Sequence, residues 1–348
     1  MKALVLHAAG DARLEERPEP PAPRSDEVTL RIVRAGLCGT DGSEFAAGPI
    51  MTPLEKPHPA TGVHGPVVLG HEFIGEVVTA GTDSPFAVGD RVAAGAGVWC
   101  GDCRWCQDGR PNLCARYWTF GLSTDGGLTE RVTVPSRMLH PIADHVSDDN
   151  AALAQPLAVG LHGVSRSRIR SGDLVVVNGA GAIGSFLIAG AVAAGAAAVL
   201  AVDVDPDRLA TAVQLGATHT AHADDADDAV RELSGGDLAD VTIEASGVAT
   251  GMATVQSLTR RGGTVLLVGL PKKPVTFPAV DLILREIDVA TTVAHVCDEN
   301  LPAALDLLAS RDLASLLVEK VVGLDDAIEG ALAPLSRGEA RGKLLVAP

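Results

Sequence analysis

Between Val175 and Asp203 the chain reads VVVNGAGAIGSFLIAGAVAAGAAAVLAVD, and no other stretch restricts the fold as much. The β-branched run Val175 to Val177 leads into Gly179-x-Gly181-x-x-Gly184 and then an alanine-rich apolar segment, which predicts strand, tight turn and helix. The first glycine permits the turn, the second lets backbone approach a pyrophosphate, and the third lets helix pack closely on strand. Gly181, Ala182 and Ile183 open the helix, where free N–H groups and the helix dipole attract phosphate oxygens. A second apolar run, Ala198 to Val202, ends at Asp203, close to the ~20-residue spacing at which a carboxylate binds both ribose hydroxyls. That carboxylate would repel a 2′-phosphate, so the pattern points to NAD rather than NADP. The plainer alternative is a glycine turn in some other α/β sheet, with Asp203 merely ending a strand.

The residues after Asp203 support the dinucleotide reading. In DPDRLATAVQLGA, Asp205 is placed to cap a helix, Pro206 to start it and Gly216 to end it, with Arg208 near the adenosine region. Val241 to Glu244, a helical segment to about Thr259, Gly262-Gly263 and Thr264 to Gly269 continue the β–α–β alternation. The expected fold class is α/β, a Rossmann doubly wound parallel sheet. Upstream, alternation at Ala3, Val5, Val28, Leu30 and Ile32 predicts antiparallel β structure, and Ala35 to Phe45 reads as a turn.

A formal charge of −16 excludes a broad basic surface for nucleic acid, and the N-terminal apolar run breaks into charge too soon to span a membrane. The expectation is a cytoplasmic protein with neither nucleic-acid nor membrane partners. Hydrophobic residues make up 47% of the chain but aromatics only 3%, so the cores must be built from Ala, Val, Leu and Ile.

Cys100, Cys103, Cys106 and Cys114 follow the spacing C-x2-C-x2-C-x7-C on a loop punctuated by glycine and proline. Four thiolates that close together suit a closed tetrahedral zinc site of structural type. Two disulfides are disfavoured in a cytoplasmic chain, and the spacing is not one of the common ferredoxin patterns. Cys38, His71 and Gln155 are candidates for a second metal, but their spacing does not join them. Taken singly, such residues are more often a packing residue, a hydrogen-bonded histidine and a helix cap.

Cys38-Gly39-Thr40-Asp41, Gly70-His71-Glu72, the four-cysteine loop, Gln155-Pro156-Leu157 and the glycine turn with Asp203 occur in this order. Together they resemble the zinc-dependent medium-chain alcohol and polyol dehydrogenases over essentially the whole chain. Gly48-Pro49-Ile50, His58-Pro59-Ala60-Thr61-Gly62 and Pro66 to Phe73 are most similar to the 2,3-butanediol dehydrogenase branch.

The resemblance implies a largely β, GroES-like catalytic domain (residues 1–155 and 291–348) around an NAD-binding Rossmann domain (156–290). It implies two zinc ions per subunit, with Cys38 and His71 as ligands of the catalytic one and Glu72 touching it or standing just behind. Gln155 takes a position usually held by glutamate, which leaves that site one charge more positive. Thr40 matches the hydroxyl that hydrogen-bonds the substrate oxygen. Ser43 stands where relatives often carry the histidine that ends a proton relay; serine has no pKa near neutrality and passes a proton only along a hydrogen-bonded chain. His58 and His64 read as loop residues, Cys297 as packing, and Trp118, Phe120 and His295 as candidate pocket walls. The implied reaction is hydride transfer between a secondary alcohol and NAD, with zinc as Lewis acid on the substrate oxygen. 2,3-Butanediol and acetoin lead. A sugar alcohol such as sorbitol, an amino alcohol such as threonine, or a biosynthetic intermediate is the nearest alternative. A metal-free reductase or a non-catalytic nucleotide-binding protein is the more distant one. Relatives are homodimers or homotetramers, and Ile287 to Val293 is a strand suited to pairing across a subunit interface.

Overall fold

The computed structural model describes residues 1–271 and 273–348. The chain divides into two compact units, Met1–Gln155 with Val296–Pro348, and Pro156–His295. The second crossing falls after His295, not after residue 290, because the strand Asp288–Thr291 is still hydrogen-bonded into the sheet of the inserted unit.

That inserted unit is built on a six-stranded sheet in the order His219–His222, Ala198–Asp203, Leu174–Asn178, Ala239–Glu244, Thr259–Leu267, Asp288–Thr291, with every pair parallel. This is the doubly wound order, which reverses between the unit's first strand in sequence, Leu174–Asn178, and its fourth, Ala239–Glu244. Val175, Val176 and Val177 are fully buried, as expected of a central parallel strand covered on both faces. The helix Ala182–Ala193 is apolar nearly all round and buried from Gly184 to Ala191, which explains its lack of a polar stripe. Gly262-Gly263 lies inside the strand Thr259–Leu267, where the pairing with its neighbour shifts register.

The other unit is mainly antiparallel. Its largest sheet runs Leu139–Pro141, Arg91–Ala94, Glu72–Ala80, Glu27–Leu37, Lys343–Ala347, Val318–Gly323, with Arg131–Pro135 also paired to Glu27–Leu37. The C-terminal strand Lys343–Ala347 thus lies beside Glu27–Leu37, Leu344 opposite Leu37. Ala35 to Phe45 is not the expected turn. The strand continues to Leu37 and a helix follows over Gly39–Ala47, with Cys38 at its N-cap. The Cys38 N–H donates to Asp41 Oδ2 (2.8 Å), so Cys-x-x-Asp satisfies a helix-start donor much as a capping box does. Among the described residues no helix is long and apolar enough to cross a membrane.

Candidate active site

In the inserted unit the glycine turn is arranged as dinucleotide binding requires. Gly179 has φ +102°, and a Cβ there would sit 2.7 Å from the Ser246 nitrogen. Ser246 follows the fourth strand of the unit, so the turn lies where the sheet reverses, the usual ligand position in open α/β sheets. A Cβ at Gly184 would strike the Gly179 carbonyl, whereas one at Gly181 would meet nothing within 4 Å. The middle glycine therefore faces open space, as backbone cradling a pyrophosphate must. Asp203 is buried and fixed: Oδ2 accepts the Ala180 N–H (2.7 Å) and Oδ1 the Asp205 N–H (3.0 Å). Arg208 Nη1 lies 3.8 Å from Asp203 Oδ1. The turn after the fourth strand is held by Glu244, which accepts the N–H groups of Ser246 (2.9 Å) and Gly247 (3.1 Å). Glu244 was not anticipated.

In the first unit, the thiols of Cys100, Cys103, Cys106 and Cys114 are free and converge. Sγ separations are 3.4 Å for Cys100–Cys114, 3.6 Å for Cys103–Cys106 and 3.9 Å for Cys100–Cys106. A tetrahedron with Zn–S bonds of about 2.3 Å has edges of about 3.8 Å, so the four sulfurs fit zinc, whereas a disulfide requires about 2.05 Å. The N–H groups of Cys100 and Arg116 both donate to Cys114 Sγ (3.3 Å each), satisfying part of its charge as a thiolate.

The second centre arises from strand pairing. Gly36 lies opposite Glu72 and Ala35 opposite Phe73, which brings Cys38, just past one strand, to His71, just before the other. Ligand atoms of Cys38, His71 and Glu72 all fall within 4.8 Å of one another. Glu72 fills the space above Gly36, where a Cβ would collide with its carboxylate. His71 and Glu72 are buried and Cys38 is partly so. His71 Nδ1 faces Asp41 Oδ1 at 3.5 Å, which leaves Nε2 as the nitrogen for a metal, the arrangement by which a carboxylate orients a histidine ligand.

Lys343 closes the cluster from behind. Its ammonium, also buried, pairs with Glu72 Oε2 and donates to the Leu37 carbonyl (3.1 Å). Burial works against the charge on Lys343, but Glu72 and Cys38 raise its pKa on balance. Burial likewise opposes a charged His71, yet Asp41 and Cys38 push its pKa well above the ordinary value. As thiolate and carboxylates, Cys38, Asp41 and Glu72 carry three negative charges against one on Lys343. The two left over are what a divalent cation would neutralise, and such a cation would displace the proton from His71.

The remaining expected residues are placed less decisively. The Thr40 hydroxyl lies 3.7 Å from Cys38 Sγ. The Ser43 hydroxyl donates to the Gly39 carbonyl one helical turn back (2.9 Å). Gln155 is half-buried in the first turn of the helix Ala154–Ser167, and among the described residues no hydrogen bond links it to Cys38, His71 or Glu72. His58 Nδ1 accepts the Ala60 and Thr61 N–H groups (3.3 Å each), a loop role, while His64 is exposed. Phe120 packs on Trp118 (5.0 Å between rings) and on Phe73 (6.5 Å), the residue after Glu72. His295 ends the other unit. Two participants escaped the sequence. Asp41 had a signal in its capping spacing from Cys38; Lys343 had none.

Residues 24–144 match the alcohol dehydrogenase GroES-like domain family, and residues 182–310 match the zinc-binding dehydrogenase family. The chain is 34% identical over 359 aligned positions to an (R,R)-butanediol dehydrogenase of Bacillus subtilis, covering 100% of both. It is 31% identical to a sorbitol dehydrogenase of the same organism, covering 89% of this chain and 86% of the relative. A crystal structure of 2R,3R-butanediol dehydrogenase from Bacillus subtilis superposes with a TM-score of 0.91 at 33% identity, covering 100% of this chain and 99% of the other.

Proposed function

The chain belongs to the zinc-binding alcohol dehydrogenases, enzymes that act on small alcohols and ketones, and from that premise we propose that it interconverts a vicinal secondary diol, 2,3-butanediol, and its hydroxyketone, acetoin, with NAD. The observation that carries this reading is the buried Cys38–His71–Glu72 cluster in a chain whose full length matches an (R,R)-butanediol dehydrogenase. A zinc ion held there would supply Lewis acidity to a substrate hydroxyl or carbonyl, while the nicotinamide takes or gives the hydride. Cys38 and His71 would hold the metal, and Asp41, 3.5 Å from His71 Nδ1, would favour presenting Nε2 to it. Lys343 pairs with Glu72, which would hold that carboxylate back from a metal on Cys38 and His71 and leave room for substrate. If Gln155 joins the centre as the resemblance implies, its neutral amide, where a carboxylate is usual, would leave the centre more positive and favour loss of the alcohol proton. Thr40, close to Cys38, is the hydroxyl that would accept that proton's hydrogen bond.

Initial rates of NADH formation by zinc-replete protein across the butanediol stereoisomers, with sorbitol and threonine in parallel, test the substrate. One butanediol stereoisomer is expected to lead. Sorbitol leading instead would favour the polyol reading that the sorbitol dehydrogenase similarity supports.

Cofactor choice rests on Asp203. Its carboxylate, fixed by two N–H donors, opposes a 2′-phosphate, and Arg208 is neutralised beside it. Asp203→Ser is expected to move the NADP-to-NAD ratio of kcat/KM about 10- to 100-fold toward NADP, since the repulsion goes and Arg208 becomes available to the phosphate. An unchanged ratio would remove Asp203 from the cofactor site.

Assembly as a homodimer or homotetramer belongs to the same reading. The strand Asp288–Thr291 is the last of its sheet, Val289 on it is 39% exposed, and Val280, Ile283 and Leu284, a few residues earlier in the chain, are 71%, 72% and 70% exposed. An apolar edge strand is a template for pairing with a second copy. Val289→Lys is expected to lower the mass seen by analytical ultracentrifugation; a wild-type protein sedimenting as monomer would refute the pairing.

A further inference from the structure

A cluster remote in sequence from both zinc-type centres has no part in the chemistry above. His140 lies on the strand Leu139–Pro141, and Cys297 and Asp298 are the first two residues of the helix Cys297–Ser310. All three belong to the first unit, contributed by chain on either side of residues 156–295. We propose that His140, Cys297 and Asp298 form a third metal site, one that takes a borderline divalent cation such as zinc in exchange with solvent.

The geometry is that of a site open on one side. One ligand atom from each residue lies within 4.8 Å of the others, and His140 Nε2 is 3.9 Å from Asp298 Oδ1. With metal–ligand bonds of about 2.0 to 2.3 Å, ligand atoms around zinc stand roughly 3.3 to 3.8 Å apart, so side-chain movements of at most about an ångström to an ångström and a half close the set. The atoms are also under-used. His140 Nε2 is buried without a hydrogen-bond partner, and Cys297 Sγ has only a long contact of 3.7 Å to the Met138 carbonyl. A buried ring nitrogen left that way is costly unless something fills the place.

The donor set selects the ion. Thiolate with imidazole and one carboxylate suits zinc and excludes calcium and magnesium, which take oxygen. Burial lowers the His140 pKa, with Asp298 opposing, which keeps the ring in the neutral form that binds metal. Burial and then Asp298 push the Cys297 thiol up to about 12, so uptake must break its S–H bond as the S–metal bond forms, with the proton passing to solvent. The helix N-terminus helps, because its positive end favours anionic forms of the two residues it carries. It also opposes the cation, but more weakly than three directly ligating side chains attract it. The Asp298 side chain is 64% exposed and His140 only 21%. Three protein ligands with a solvent-facing carboxylate leave the fourth position to water, hence an ion that exchanges.

The test is a metal count on the full chain. Wild-type protein and Cys297→Ser are equilibrated with the same buffered free zinc and analysed by mass spectrometry, then reloaded with cobalt. Wild type is expected to hold one more ion per chain, and to show an added thiolate-to-cobalt charge-transfer absorption. Alcohol oxidation should be alike in the two. Equal metal content and equal cobalt spectra would overturn the proposal. Should the buried serine prevent folding, Asp298→Asn, on an exposed side chain, is expected to weaken the extra ion about tenfold; unchanged affinity there overturns it as well.

Discussion

His71→Ala is expected to lower kcat/KM by about 10³- to 10⁵-fold and to reduce bound zinc by one ion per chain, while the four-cysteine loop keeps its own. A Lewis acid on the reacting oxygen is worth several kcal/mol of transition-state stabilisation, and each ~1.4 kcal/mol is a factor of ten. Removing the imidazole leaves Cys38, Asp41 and Glu72 crowded around an empty position with only Lys343 to balance them, so the remaining ligands hold metal poorly. The loss should appear in kcat and not chiefly in KM, because the interaction strengthens as charge develops on oxygen. Metal content and rate should fall together. A variant that keeps its full zinc complement and loses activity would make His71 something other than a ligand. The same electrostatics set the pH response. Asp41 and Cys38 raise the His71 pKa against the opposing effect of burial, so the metal-free protein favours the protonated ring and zinc competes with that proton. Zinc affinity is therefore expected to weaken as pH falls, by up to about tenfold per unit for each proton displaced.

Lys343→Met is the larger test of stability. Lys343 and Glu72 are both buried, with side-chain exposures of 7% and 2%, and the lysine stem and methionine are close in volume. The substitution strands the Glu72 carboxylate without its cation, and breaking one half of a buried pair costs about 3 to 5 kcal/mol. For a unit of this size that corresponds to a fall in Tm of roughly 10 °C. Adding Glu72→Gln should return much of the loss, since the uncompensated charge disappears; a double variant no more stable than Lys343→Met would mean that packing, not charge, is what Lys343 supplies. Metal binding separates the two roles further. With Lys343 gone and zinc present, Glu72 is free to move onto the metal, so turnover is expected to suffer more than zinc content.

The features legible in the sequence are those whose chemistry is local. The glycine turn and Asp203 lie in one strand–helix–strand unit, and the sterics required of Gly179, Gly181 and Gly184 follow from that unit alone. The four cysteines span a single loop short enough to wrap an ion, so spacing is sufficient. Misreadings occurred where local signals compete. Ala35 to Phe45 holds three glycines and a threonine, a turn-like composition, yet Asp41 caps a helix there and packing fixes it.

The second metal centre is different in kind. Cys38 and His71 meet because Gly36 pairs with Glu72 across two antiparallel strands, a register fixed by the burial of whole sheet faces and not by either segment. Lys343 is 271 residues from Glu72 and reaches it only because the last strand of the chain returns beside Leu37. His140, Cys297 and Asp298 are likewise joined across the whole inserted unit. A sequence specifies contacts within the few residues that backbone geometry holds together. Contacts between distant segments are decided by which apolar faces bury one another, and in this protein that choice assembled the buried charges around the candidate metal site.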